Sequence, residues 1–521
     1  MTNCLLVFSL LLVLCLSDHL RLWPRPQQAV FGDLNIKIAD DFRFVSSIHG
    51  VDILDSALVR YKSIINTVSL DTPTDISHPT ISVIDTILIR IDIPDTNLNL
   101  ETDERYSIDI TSATITLSSH TVFGALRALE TLSQLVEIDS SQSLVVRQIP
   151  LTIIDYPRYQ WRGIMIDTAR HYLPISTIKR MIDAASFNKM NVLHWHLVDA
   201  QSFPLSTPSH PELATKGAFR ADLVYDTATI KDIIAFGKER GVRVVPELDV
   251  PGHSYAIGKG RPNIRAQCPP GLDKNVNNFP LDPSEKETFT VLSNLIGDMA
   301  EMFDDEFIHL GGDEIVFSCW TRNEKISKWM AKHGFKTGQE VFSWFFNQTL
   351  PFAYKNNKKA IVWHDAAIID DNLPKSTLVQ VWAGESNIAK VLDKNFKILY
   401  SVGYYLDKSR PAGVTRYAFM QTFTDFFSRE PTKGLTSEQA KNITGLEAAM
   451  WSEGVDYFSI EERTWPRASG TADRAWIEVP KVVDMTYENK RVERQRCRMN
   501  GRGIMASAVI PGPDGICKFA V

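Results

Sequence analysis

Two adjacent carboxylates, Asp313 and Glu314, stand in the stretch FIHLGGDEIVF (307–317), with apolar residues on both sides and Gly311-Gly312 just before them. Like charges repel, and a buried carboxylate is costly unless it is paired or protonated. A surface Gly-Gly-Asp turn would account for the pattern without chemistry. Glycoside cleavage would account for it with chemistry. That reaction needs a carboxylic acid to protonate the leaving oxygen and a group to stabilise positive charge at the anomeric carbon. Neighbouring acids cannot easily flank a sugar from opposite sides, as an acid and a nucleophile about 5 Å apart do. Side by side, one would donate the proton while the other works on a different part of the substrate. A second pattern, His194-x-His196, puts two rings on one face of a strand. With His253 and His309 it could ligate a divalent metal; the competing reading is a structural hydrogen-bond network.

From about residue 160 the chain repeats strand, loop and helix. Candidate strands are 162–167, 191–197, 242–248, 307–310, 360–364, 378–382, 397–401 and 446–451, with helical stretches such as ISTIKRMIDAASFNKM and TIKDIIAFGKERG between most of them. Eight strands with helical crossovers predict an α/β chain whose catalytic domain, 159–521 with a C-terminal extension, is a (β/α)8 TIM barrel. A doubly wound open sheet is the alternative, but no Gly-rich dinucleotide fingerprint supports it. A barrel keeps its active site at the C-terminal ends of the strands. The polar clusters fall there: Asp167 to His171, His196 to Asp199, Glu247 to His253, His309 to Glu314, Trp363-His364-Asp365, Trp382, Tyr405 to Asp407, and Trp451-Ser452-Glu453.

Residues 18–158 read differently. Stretches 80–93 and 106–119 alternate apolar and polar residues, as half-buried strands do, and 120–137 has apolar residues at helical spacing. A small α+β domain is predicted here. Residues 1–17 read as a removed signal peptide, with an apolar run at 5–16 too short to span a bilayer. Removal takes Cys4 and Cys15. The remaining even count, Cys268, Cys319, Cys497 and Cys517, suggests two disulfides with three possible connectivities. Proximity in sequence favours Cys268 with Cys319 and Cys497 with Cys517. Sequons at Asn347 and Asn442 fit a secretory route. The net charge of −6, without long runs of either sign, gives no support to nucleic-acid partners or a polybasic membrane anchor. Ten of the 11 Trp lie after residue 160, where they could line a cleft for sugar rings or simply fill the core.

At HLGGDEI the sequence resembles glycoside hydrolase family 20, the β-N-acetylhexosaminidases, in its eukaryotic lysosomal or secreted branch. RGIMIDTARHYLP (162–174), NKMNVLHWHLVDAQSFP (188–204), VVPELDVPGH (244–253), YYLD (404–407) and WPRASGTADRAW (465–476) are similar to that family in the same order. LWPRPQ (22–27) and TVFGALRALETLSQL (121–135) resemble its N-terminal domain. The resemblance implies exo-acting, retaining, substrate-assisted removal of terminal N-acetylhexosamine, with no cofactor and no metal. It implies that Glu314 is general acid and then base, and that Asp313 orients the 2-acetamido group. Tyr405 would hydrogen-bond the acetamido oxygen, and Arg170 would grip the 3- and 4-hydroxyls. Asp407 and Glu453 would take the 4- and 6-hydroxyls, while Trp363, Trp382 and Trp451 wall the pocket. Asp199 and His253, with His309 beside them, would hold the acids. The neighbouring carboxylate is expected to favour the protonated form of Glu314. The cysteines are placed like two disulfides of that branch, and a homodimer acting on glycans is a family expectation. Ala200, Leu248 and Ser452 depart from residues common in the family. A metal-dependent barrel hydrolase and an inactive carbohydrate-binding descendant are the competing functions.

Overall fold

The computed structural model of the chain describes residues 22–67, 79–408, 422–478, 483–510 and 517. The signal-peptide reading at 1–17 lies outside them. Six strands come first: β1 (Gln28–Ser46), β2 (Thr80–Ile91), β3 (Tyr106–Ile110), β4 (Ile115–Ser119), β5 (Val136–Ile138) and β6 (Leu144–Asp155). They form a sheet in the order β1-β2-β4-β3-β6-β5, in which β1 also pairs with β6. The stretch 106–119, read as one strand, folds back at Thr111–Thr114 into the antiparallel pair β3 and β4. A helix at Val122–Leu135 packs on the sheet. Thr121 caps it, its side chain accepting from the Gly124 amide. The long β1, β6 and a helix at Asp52–Asn66 are further parts of this layer.

Eight parallel strands follow: β7 (Trp161–Asp167), β8 (Val192–Val198), β9 (Arg243–Leu248), β10 (Phe307–His309), β11 (Lys359–Trp363), β12 (Leu378–Val381), β13 (Ile398–Tyr400) and β14 (Ile443–Met450). They close into a barrel, β14 pairing with β7. All eight predicted strands are present, shifted by a few residues at their ends. β14 starts three residues early, and His364 opens a helix instead of ending a strand. The predicted helical stretches are the helices Ile175–Phe187 and Thr227–Lys238, the latter capped by Asp226. Barrel strands are buried on both faces, which is why they read as continuous apolar runs.

The sheet is fastened to the barrel by charge. Glu104 binds Arg127 of the Val122–Leu135 helix at 2.7 Å and also pairs with Arg162 of β7; all three are buried. Burial alone would raise Glu104, but Arg162 and Arg127 outweigh it and hold the carboxyl below its usual range. Asp155, ending β6, accepts from Lys189 at 2.9 Å and from the Trp476 indole at 2.8 Å. The C-terminal helix Met485–Gly501 closes over the junction, with Arg491 donating to the Leu22 carbonyl at 2.7 Å. Cys268 is joined to Cys319 and Cys497 to Cys517, the pairing that sequence proximity favoured. No helix among the described residues is long and apolar enough to cross a membrane.

Glu104→Ala would strand two buried guanidinium groups, a change expected to cost about 3–5 kcal/mol. Its thermal midpoint should drop well below that of Glu324→Ala, which removes only an exposed pair with Lys328. Equal midpoints in a melting experiment would show that the junction holds without Glu104.

Candidate active site

The polar strand ends converge at the C-terminal mouth of the barrel. After β10 the chain turns through Gly311 and Gly312, both with positive φ. A Cβ on Gly311 would fall 1.8 Å from Asp249 Oδ1, so only glycine fits. Gly312 N–H donates to that same oxygen at 3.0 Å. Glu314 itself has φ of 49°, uncommon for a residue with a side chain. The twisted backbone separates the neighbours. Asp313 is 7% exposed, whereas the Glu314 side chain is 56% exposed. Two adjacent acids are tolerated because they occupy different media.

Their charges differ accordingly. Burial, reinforced by Asp249 nearby, pushes Asp313 well above the usual carboxylate range, and its Oδ1 has no hydrogen-bond partner among the described residues. Asp249 is raised to about 6, by burial first and then by Glu247 against the pull of His253. Glu314 is lowered, chiefly by the His253 imidazole 3.6 Å away. This corrects the sequence expectation of a protonated Glu314. The nearby carboxylate acts less strongly on this half-exposed side chain than the cationic ring that faces it.

His253, also at positive φ, donates from Nδ1 to Asp199 Oδ1 at 3.1 Å. Asp199 thus lies behind His253, on the side away from Glu314. Its other oxygen meets Arg170 Nη2 at 2.8 Å. Arg170 is further held by Asp167 at 3.1 Å and by Gln201 at 3.1 Å, and lies over the Trp451 ring. Asp167 also accepts the Ser452 N–H at 3.1 Å, tying the ends of β7 and β14 together. Ser452 in turn accepts the His171 N–H at 3.2 Å. Glu453 reaches to 3.8 Å from Arg170 with its carboxylate largely in solvent.

Tyr405 is buried beside Trp382 and Trp451, and burial holds its hydroxyl in the neutral form. Trp382 donates its indole N–H to Asp365 at 2.9 Å. Both Trp382 and Trp451 are half-buried. Trp363 differs: it is buried, packed on His309 at 4.6 Å and on Trp451 at 6.0 Å between ring centroids. Asp407 is raised to about 6 by burial. His309 lies below the acid pair, and its Nδ1 accepts the Gly311 N–H at 3.0 Å, which steadies the turn from beneath.

The histidine pair proposed as metal ligands is otherwise engaged. His194 meets Glu447 at 2.8 Å and Glu247 at 3.1 Å; His196 meets Glu247 at 2.6 Å and Asp199 at 2.9 Å. Burial opposes charge on these rings, but the carboxylates outweigh it. His194 rises to about 9 and His196 moves well above its ordinary value. His196, hydrogen-bonded to a carboxylate at each nitrogen, has no lone pair left for a metal, and His194 is engaged by Glu447 through Nδ1. This geometry favours the hydrogen-bond network. Asp167, Gln201, Glu247, Asp365, Gln380 and Glu447 received no role from sequence. The available signal for Gln380 and Glu447 was one polar residue within an otherwise apolar barrel strand.

The chain matches the model of "Glycosyl hydrolase family 20, catalytic domain" over residues 159–479 and that of "beta-acetyl hexosaminidase like" over 22–135. It is 36% identical to beta-hexosaminidase subunit A1 of Dictyostelium discoideum, covering 97% of this chain and 93% of that one. To beta-hexosaminidase subunit beta of Homo sapiens it is 38% identical, covering 80% and 73%. Among solved structures, the Flavobacterium johnsoniae chitobiase superposes with a TM-score of 0.81 at 29% identity, over 94% of this chain and 74% of that one.

The raised imidazoles carry a sign for stability. A ring that titrates at about 9 when folded and 6.5 when unfolded stabilises fully below 6.5, and that stabilisation is lost as pH rises through 9. The thermal midpoint is expected to fall between pH 6.5 and 9, and to fall less steeply in His194→Gln. Parallel slopes for the two proteins would mean that His194 is not charged in the fold.

Proposed function

The chain belongs to glycosyl hydrolase family 20, and from that premise we propose how its residues act as an exo-acting β-N-acetylhexosaminidase. The substrate is a glycan ending in a non-reducing N-acetyl-D-hexosamine. The carrying observation is the pairing of a buried Asp313 with a solvent-facing Glu314 beside Tyr405.

The sugar enters between Trp382 and Trp451, with Trp363 beneath. Arg170, fixed by Asp167, Asp199 and Gln201, turns its remaining N–H donors to the 3- and 4-hydroxyls. Asp407 and Glu453 accept from the 4- and 6-hydroxyls. The acetamido oxygen attacks the anomeric carbon, and the bond to the leaving oxygen breaks. Glu314 gives that oxygen its proton. The resulting oxazolinium ion carries positive charge on nitrogen, and Asp313, which releases its own proton to solvent as the substrate's amide N–H takes up the contact, accepts its hydrogen bond. Tyr405 donates to the acetamido oxygen. Water then attacks the anomeric carbon from the side of the departed group, giving up a proton to Glu314, and the configuration is retained. Intramolecular attack gains effective molarity, which removes the need for a protein nucleophile. A bound sugar covers Glu314, and the desolvation raises its pKa toward the protonated form that a donor requires.

We extend the reading to the chain's surroundings. Residues 1–17 are a signal peptide, 18–158 an N-terminal domain and 159–521 the catalytic domain. The mature chain works as a homodimer in the secretory pathway, in a lysosome or vacuole or outside the cell. Two disulfides and the sequons support an oxidising compartment. Asn347 is exposed and Asn442 half-buried as glycan acceptors.

Hydrolysis of a chromogenic N-acetyl-β-D-glucosaminide tests the mechanism. Glu314→Gln should lose about 10²–10⁴-fold on a natural disaccharide and less on an aryl glycoside, whose leaving group needs little protonation. Asp313→Asn should lose roughly 10²–10³-fold on both. A chelator should change nothing, and a plain β-glucoside should not be cleaved. A folded wild type inert towards every N-acetylhexosaminide would leave only sugar binding, and chelator-sensitive turnover would restore the metal reading.

A further inference from the structure

Beneath the mouth, the barrel interior holds an unbroken alternation of acids and imidazoles. Parallel register aligns His196 of β8, Glu247 of β9 and His309 of β10 side by side. Glu247 Oε2 lies 2.6 Å from His196 and 3.1 Å from His194, and Oε1 lies 3.2 Å from His309. On the far side, His194 meets Glu447 at 2.8 Å. Glu447 accepts from the Trp161 indole at 2.8 Å and from Gln380 at 2.7 Å. On the near side the line runs from His196 to Asp199 at 2.9 Å, to His253 at 3.1 Å and to Glu314 at 3.6 Å. Every member except Glu314 is buried.

We propose that Glu247 is a positioning residue for acid catalysis, holding His196 against Asp199 and so fixing His253 beside the proton donor Glu314. This inference rests on the hydrolase reading of the site. Its geometry is specific. A ring with a carboxylate at each nitrogen cannot flip without breaking both contacts, and it must carry two protons. Without the Glu247 charge, His196 keeps only the proton that one partner requires. Asp199 then loses one of its three cationic partners and is freer to follow Arg170. Glu247 Oε1 also lies 3.2 Å from His309 Nδ1, but that nitrogen accepts the Gly311 N–H, so the hydrogen-bonded route from Glu247 to the acid pair is the one through His196.

The groups facing His196 are Glu247, Asp199, Asp249 and Asp167, with the Trp451 ring at its edge. Those facing Glu314 are His253, Arg170 and Asp199, with Asp313 next in the chain. Glu247→Gln replaces a near cation and a farther anion by two neutral groups. The potential at Glu314 becomes more negative, and its proton is held to higher pH.

The test measures kcat and KM on N,N′-diacetylchitobiose and on a dinitrophenyl N-acetyl-β-D-glucosaminide across pH, for wild type, Glu247→Gln and Glu447→Gln. In Glu247→Gln, kcat on the disaccharide should fall about 10- to 100-fold, part of what a positioned general acid supplies. The aryl glycoside should lose little, KM should stay near that of wild type, and the basic limb of kcat/KM should move up. Glu447→Gln, one imidazole further away, should shift both readouts in the same sense by less, and carries the test if Glu247→Gln does not fold. Equal losses on both substrates with an unmoved basic limb would overturn the inference and leave Glu247 a structural residue. A wild type inactive on both substrates would instead overturn the hydrolase reading itself.

Discussion

Charge buried in the barrel has to be paired, and the rest of the site follows from how that pairing is done. An isolated carboxylate in an apolar interior would cost several kcal/mol even after relaxation. Here Glu247 and Glu447 are compensated by His194 and His196, and Asp199 by His196, His253 and Arg170. Parallel register puts His196 beside Glu247, closure of the barrel brings Glu447 to His194, and the loops after the strands supply Asp199, His253 and Arg170. The upper members of the network are the same residues that face the cleft, so the interior and the working surface are one construction.

Asp313 is the acid left outside this pairing. Asp249 beside it is a second carboxylate, engaged mainly by the Gly312 amide. The turn that carries them is built to hold this imbalance: two glycines at positive φ, a third residue, Glu314, forced into the same region, and His309 gripping Gly311 from below. Strained backbone at a place where charge is poorly compensated fits a site awaiting a partner with a hydrogen to donate. The Trp and Tyr rings around it exclude water and keep the Tyr405 hydroxyl protonated.

Much of this was legible from residue order. The barrel strands announced themselves as short apolar runs ending in polar clusters, and those clusters meet at one mouth. Arg170, Asp199, His253, Tyr405 and the acid pair are brought together as the motifs implied. Three things were not legible. The pair β3 and β4 reads as one alternating strand, because a four-residue turn of Thr, Ser and Ala carries no Gly or Pro to mark it. Glu447 and Gln380 sit in strands far apart in sequence, and only closure of the barrel gives each its partner. The ionisation of Glu314 depends on which ring faces it and on how much solvent reaches it, and neither is written in the neighbouring letters.

The junction between the sheet and the barrel has a consequence for anyone who would shorten this protein. Arg162 and Lys189 belong to the barrel, yet the carboxylates that neutralise them, Glu104 and Asp155, come from the preceding layer. Trp476, near the end of the catalytic region, gives its indole hydrogen to the same Asp155. A barrel expressed alone would present a bare guanidinium, a bare ammonium and an unsatisfied indole on a surface shaped to be covered. The catalytic unit is therefore not an excisable module. Minimal versions of this enzyme would need either the whole N-terminal layer or neutral replacements at Arg162 and Lys189.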